Sequence, residues 1–138
     1  MSEPAKTRKG TRPRSVSEEL RVPRAFFDEG GYPLLSLRHV QSSHGIEAMS
    51  EKQRSEFMLK WAKRAAFTWK ELTLHHRHGL GYELIPAGQF HPTAPESLKA
   101  AKYMVFRHHG NRAFAGIKIN DVFYVYWLAK EYGDLYEH

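Results

Sequence analysis

Six lysines and arginines fall between positions 99 and 130, namely Lys99, Lys102, Arg107, Arg112, Lys118 and Lys130, and one acid, Asp121, stands among them. A stretch this basic, interleaved with aromatic residues, suits an anionic ligand. Arginine suits phosphate best, because its planar fork binds two oxygens at once and keeps its charge. His108 and His109 lie in the same stretch, and His75, His76 and His78 lie upstream. Histidines can carry protons near neutral pH or hold a metal. A zinc site needs three or four ligands converging at about 2 Å, and three of these histidines crowd into one run with no cysteine or carboxylate at a familiar ligand spacing. They read as polar surface or RNA contacts, and no metal or cofactor is expected.

The elements that position these groups come from turn chemistry and periodicity. Gly110-Asn111 and Asn120-Asp121 are hairpin turn signals, since these residues tolerate positive φ. They divide residues 103–108, 112–119 and 122–128 into a three-stranded antiparallel meander. Alternation puts Tyr103, Val105 and Arg107 on one face and Met104, Phe106 and His108 on the other. On the middle strand Ala113, Ala115, Ile117 and Ile119 share a face opposite Phe114, Gly116 and Lys118. Residues 34–40, LLSLRHV, form a short apolar run bounded by turn residues, which predicts a strand that joins the sheet. Residues 82–85 predict another. Ser50 with Gln53 has the form of a capping box, and Phe57, Met58, Trp61, Ala62, Ala65, Ala66, Trp69 and Leu72 follow at helical spacing. A long helix from about 51 to about 74, or a helix pair, is expected to lay its aromatic stripe on the sheet. Lys52, Lys60, Lys63, Arg64 and Lys70 then read as its solvated face. The expected fold class is α+β.

At 138 residues the chain is long enough to bury a core without staples, and it has no cysteine for disulfides, thiolate metal sites or a cysteine nucleophile. Its net charge of +6 is uneven. Residues 1–24 hold seven basic and three acidic side chains, and the remainder holds fourteen and twelve. The basic leader has little apolar content, so a disordered tail is expected before a single domain at 25–138. It serves either as an electrostatic arm for nucleic acid or as a solubilising leader. No apolar run of the signal-peptide kind opens the chain, and none of about 18 residues could span a bilayer, which predicts a cytoplasmic protein without a membrane partner.

The order of strand, helical segment, short strand after a Gly-Leu motif, and closing meander resembles the RelE/ParE superfamily of toxin-antitoxin toxins. Gly79-Leu80-Gly81-Tyr82-Glu83 is similar to the run those toxins place at the first strand after the helices. Phe106-Arg107 resembles their strand arginine, and residues 122–127 with Asp134-Leu135-Tyr136 resemble their terminal strands. The resemblance covers about residues 34–138.

That resemblance implies a RelE-like fold and a metal-independent endoribonuclease that cleaves mRNA on the ribosome, with a cognate antitoxin as its protein partner. The family's reaction is attack of a ribose 2′-hydroxyl on the adjacent phosphate, which needs a base, cations at the phosphate and an acid for the leaving oxygen. On the strands where the family keeps its site, Arg107, His108, His109, Arg112, Lys118 and Tyr136 are the groups of suitable type. Arg107 and Lys118, on neighbouring strands, are expected to meet one phosphate. Structural alternatives stand beside these roles: Arg107 pairing with Glu83 or Asp134, Lys118 as an exposed hairpin lysine, and Tyr124, Tyr126 and Trp127 as core. The alternative activity is a ParE-like or non-catalytic module that binds protein or nucleic acid.

Overall fold

The computed structural model of the chain describes residues 31–137, so the reading of residues 1–24 as a disordered tail lies outside the described residues. Five strands form one sheet: β1 (Leu34–Ser36), β2 (Glu83–Pro86), β3 (Lys102–His109), β4 (Arg112–Ile119) and β5 (Val122–Leu128), in the order β1-β5-β4-β3-β2. The fold is α+β. The hairpin turns stand where the sequence puts them, with Gly110 at φ 59° and Asn120 at φ 54° supplying the left-handed residue of each. The sheet is mixed and not wholly antiparallel, because β1 runs parallel to β5. Of the expected strand at 34–40, three residues pair. Beyond Ser36 the chain turns away, and Gln41 donates its backbone N–H to the Tyr126 carbonyl.

Helix α1 (Glu51–Arg64) begins at the expected capping box: the Gln53 N–H donates to Ser50 Oγ, and the Ser50 N–H donates to Gln53 Oε1. It ends ten residues before the limit of 74 expected for one long helix, and the expected alternative of two helices is the one that forms. A second capping box, Thr68 with Glu71, starts the short helix α2 (Trp69–Leu72), and the Thr68 backbone is extended at ψ 161°. The hydroxyl of Thr68 takes the Glu71 N–H that a continuous helix would have used internally, so the chain turns at 65–68. The buried line of α1 is Gln53, Phe57, Trp61 and Arg64. Met58, expected on the stripe, is 58% exposed, whereas Arg64, expected in solvent, is 0% exposed. The true stripe follows 4-4-3 spacing and accepts a charged residue at its last position because partners await it there.

Each face of the sheet carries its own apolar cluster. Phe57, Trp61, Trp69 and Leu72 pack on Met104, Phe106, Phe114, Phe123, Val125 and Leu128. Ring contacts knit this face, with Trp61 stacked on Phe123 at 5.8 Å and edge-on to Phe106 at 5.5 Å. The opposite face is covered by the loop that follows β2 and by the C-terminal segment, through Phe90, Ala94, Leu135 and Tyr136 against Tyr103, Val105, Tyr126 and Trp127. Phe90 and Tyr136 form an isolated antiparallel bridge, and the Tyr126 hydroxyl donates to the Leu98 carbonyl at 2.7 Å.

Tyr126 and Trp127 are adjacent yet share that face, which strict alternation forbids. A bulge resolves this: Ala115 pairs with Trp127 and Gly116 with Val125, leaving Tyr126 as the extra residue on β5. The bulge brings strand backbones so close that a Cβ on Gly116 would sit 1.8 Å from the Tyr124 carbonyl oxygen. Backbone cannot yield as a side-chain tip can. Gly116→Ala should therefore cost about 3 kcal/mol, lowering the thermal midpoint by roughly 10 °C or more, measured by circular dichroism melting; an unchanged midpoint would show that the strands have room to separate.

Candidate active site

Arg107 sits at the centre of the site geometry. Its side chain is 2% exposed, and its Nη2 donates to Glu83 Oε2 at 2.9 Å across the β2–β3 pair. Glu83 also lies 3.8 Å from Nε of Arg77, which is 54% exposed. One carboxylate thus holds a sealed arginine and an open one. The Tyr136 hydroxyl lies against the same guanidinium: burial raises its pKa, and the Arg107 charge opposes that rise. Asp134 does not reach Arg107 and instead accepts the backbone N–H groups of Lys130 and Glu131, at 3.0 and 2.8 Å. That cap shapes the turn before the segment carrying Tyr136, where Gly133 takes φ 90°. Together Arg77, His78, Glu83, Arg107, Tyr132 and Tyr136 line a cleft of about 520 Å³.

The register separates the other candidates from this cleft. Met104 pairs with Gly116, and continuing that register sets Lys118 beside Lys102, five residues along β3 from Arg107. At about 3.3 Å per residue this is roughly 16 Å, and Lys118 also faces the other side of the sheet. The expected meeting of Arg107 and Lys118 on one phosphate does not occur. Lys118 Nζ lies instead 5.1 Å over the Trp69 ring. Arg112 donates from Nε to the Lys130 carbonyl at 2.8 Å and reaches Glu131 at 3.4 Å. His109, half-buried, pairs with Arg112 across the hairpin.

His108 is enclosed on the helix face, away from Arg107. It is the extra residue of a second bulge, between the pairs Arg107–Ala113 and His109–Arg112. Its ring packs near Phe57 and Phe114, and Nε2–H donates to the Ala129 carbonyl at 2.7 Å, while Nδ1 has no hydrogen-bond partner. Burial pushes the imidazole down to about 4, against the opposing effect of the Ala129 hydrogen bond; the charges of His109, Arg112 and Lys60 add to the lowering.

Two site residues were not among the sequence candidates. Arg77 has no reading in the sequence, and His78 lies in the histidine-rich run after α2, where the histidines read as polar surface or RNA contacts without a catalytic role. The available signal was Gly79-Leu80-Gly81: Gly81 packs with its Cα against the His75 and His76 carbonyls, where a Cβ would come 2.2 Å from the His75 oxygen. This tight turn brings Arg77 and His78 to the β2 edge. Among the described residues, no three metal-ligating side chains gather in one place, and no helix is long and apolar enough to cross a membrane. No protein-family model matches the chain, and no curated protein and no solved structure matches it.

The buried His108 makes a test of its own. Below about pH 6.5 the unfolded chain takes up a proton that the folded imidazole refuses until about pH 4, so stability falls as pH drops through that window. The loss approaches about 3 kcal/mol at the acid end. Urea midpoints of the parent and of His108→Gln, followed from pH 7 to pH 4, should diverge at high pH and converge at low pH; parallel curves would mean that the imidazole takes up its proton as readily in the fold as in the unfolded chain.

Proposed function

We propose that the chain is a toxin-type endoribonuclease of the RelE-like kind, acting on ribosome-bound mRNA without a metal, and that its site is the Arg107 cleft. The observation that carries this reading is the pairing of Arg77 and Arg107 on one carboxylate, with Tyr136 and His78 in the same cleft. The sequence resemblance at residues 79–83, 106–107 and 134–136 supports it from a separate direction.

In the reaction the ribose 2′-oxygen attacks the adjacent phosphorus while the bond to the 5′-oxygen breaks, leaving a 2′,3′-cyclic phosphate and a 5′-hydroxyl. Arg77, at the lip, takes hold of the phosphate first. Arg107 at the floor meets the charge that builds on the equatorial oxygens, and Glu83 keeps both guanidinium groups aimed. His78 takes the proton of the 2′-hydroxyl as base, and the leaving 5′-oxygen takes its proton from solvent water at the open lip of the cleft. Tyr136, buried with its ring on Phe90, backs the Arg107 guanidinium and keeps it in place. A cognate antitoxin with an acidic or amphipathic segment holds the activity off by covering this basic surface, in an association that weakens with salt.

A second reading, a binding module without cleavage, is favoured by one feature: Arg107 is already neutralised by Glu83 in the free protein. Variants at the exposed lip separate the two. Arg77→Ala should lower mRNA cleavage roughly a hundredfold and His78→Gln about a hundredfold or more, both with unchanged melting, since neither side chain is buried. Arg107→Lys should keep only part of the activity because the fork is lost. Growth arrest without new mRNA ends in the parent would select the binding module, and folded Arg77 and His78 variants that still cleave would refute the assignment of the cleft.

A further inference from the structure

A second groove, of about 710 Å³, lies across β2, β3 and β4 on the helix side of the sheet, with Lys102 and Lys118 at its border. Trp69 and Tyr82 form its aromatic wall, their rings edge-on at 6.3 Å, and Leu84, 54% exposed, continues it. Three lysines line the groove, Lys70, Lys102 and Lys118, and no acidic side chain does. All three are exposed. Lys118 is held in position by the Trp69 face below it, and the indole is itself fixed by donating Nε1–H to the Asp121 carbonyl at 3.1 Å. Lys118 is therefore presented on a rigid base and not on a mobile loop. The cleavage chemistry proposed above uses none of these residues.

From this arrangement we infer that the groove is a second binding site, for the phosphates and a base of the same single-stranded RNA whose neighbouring part lies in the Arg107 cleft; the inference rests on the ribonuclease reading. The lysines supply point charges for phosphate oxygens, and the half-buried Tyr82 ring with the exposed Leu84 beside it supplies the apolar surface that an unpaired base seeks. Leu84 lines both this groove and the Arg107 cleft. An occupant of one that extends past β2 therefore enters the other, crossing the sheet at its outer strand. A peptide strand added to that edge fits less well. β2 has four residues, and Pro86 contributes no backbone donor to a ladder.

The test is binding of a fluorescein-labelled single-stranded RNA decamer to the full chain, followed by anisotropy over a series of KCl concentrations. Each lysine that meets a phosphate adds about 0.7 to the slope of log affinity against log salt. The double variant Lys102→Ala/Lys118→Ala should thus lose about 1.4 from the slope and bind roughly tenfold more weakly at low salt. Its melting should be unchanged, because both side chains are exposed. In the parent, the Trp69 indole N–H resonance should shift on adding RNA. An unchanged slope and affinity in the double variant, with RNA still bound, overturns the groove and leaves the ribonuclease reading to the Arg77 and His78 variants. RNA bound through the lysines by a parent that produces no new mRNA ends in arrested cells sustains the groove and defeats that reading. No decamer binding by the parent overturns the groove and leaves the ribonuclease reading to the Arg77 and His78 variants, and loss of an acidic protein partner with RNA binding intact assigns the groove to protein.

Discussion

The structure depends on how one buried cation is held through two of its three guanidinium nitrogens, the third, Nη1, being buried without a hydrogen-bond partner. Arg64, at the last position of α1, is fully enclosed, with its guanidinium 4.7 Å from the Phe106 ring centroid and 5.5 Å from that of Phe114. Its Nε donates to the Leu80 carbonyl at 2.9 Å, and its Nη2 donates to the carbonyls of Gly79 at 3.2 Å and Arg107 at 2.9 Å. No carboxylate pairs with it among the described residues, and burial, helped by the nearby charge of Arg107, lowers its pKa to about 10. It is still charged at neutral pH. Burying an unpaired cation costs several kcal/mol, so these charge-assisted bonds and the two rings must offset it. Its place at a helix C-terminus helps, since the carbonyl end of the dipole favours a cation there.

The consequence is that three separate parts of the chain are fixed by one side chain: the end of α1, the turn before β2, and the backbone of β3 at Arg107. The other end of the helix is tied in the same manner. Gln53, while completing the capping box, donates from Nε2 to the Lys130 carbonyl at 2.8 Å, beyond the end of β5. Arg112 donates to that same oxygen. Between these two tethers the aromatic residues Phe57 and Trp61 set the height of the helix above the sheet. Hydrophobic burial supplies most of the attraction, and the polar tethers decide the register.

Much of this was legible in the sequence, and the parts that were not share a cause. The meander, its turns, the alternation of β3 and the capping box of α1 are local signals, each read from a few adjacent residues. Arg64 reads as surface because a charged residue on a mostly polar helix usually is, and only the three carbonyls brought by distant segments make the interior accessible to it. The break after Arg64 had a local signal in Thr68 and Glu71, but the apolar spacing through Trp69 and Leu72 overrode it. The bulges at His108 and Tyr126 could not be found from alternation, since each is defined by the partner strand. Among the candidate residues, Arg107 and Tyr136 do share a cleft, whereas Lys118, though on the next strand, is carried to the other face and the other end by parity and register. Adjacency of strands places residues on neighbouring rails; parity and register determine whether they meet.

Arg64 and Arg107 stand on opposite faces of the sheet at the same point of β3, joined through the Arg107 carbonyl. They solve burial in different ways. Arg64 uses carbonyl oxygens and aromatic rings, which are fixed, and is unavailable to any ligand. Arg107 uses a carboxylate that it shares with Arg77 and a tyrosine on the C-terminal segment, groups that line the cleft. With the β3 backbone held from behind by Arg64 and the Arg107 side chain held in front by Glu83, this point of the strand is fixed from both faces of the sheet.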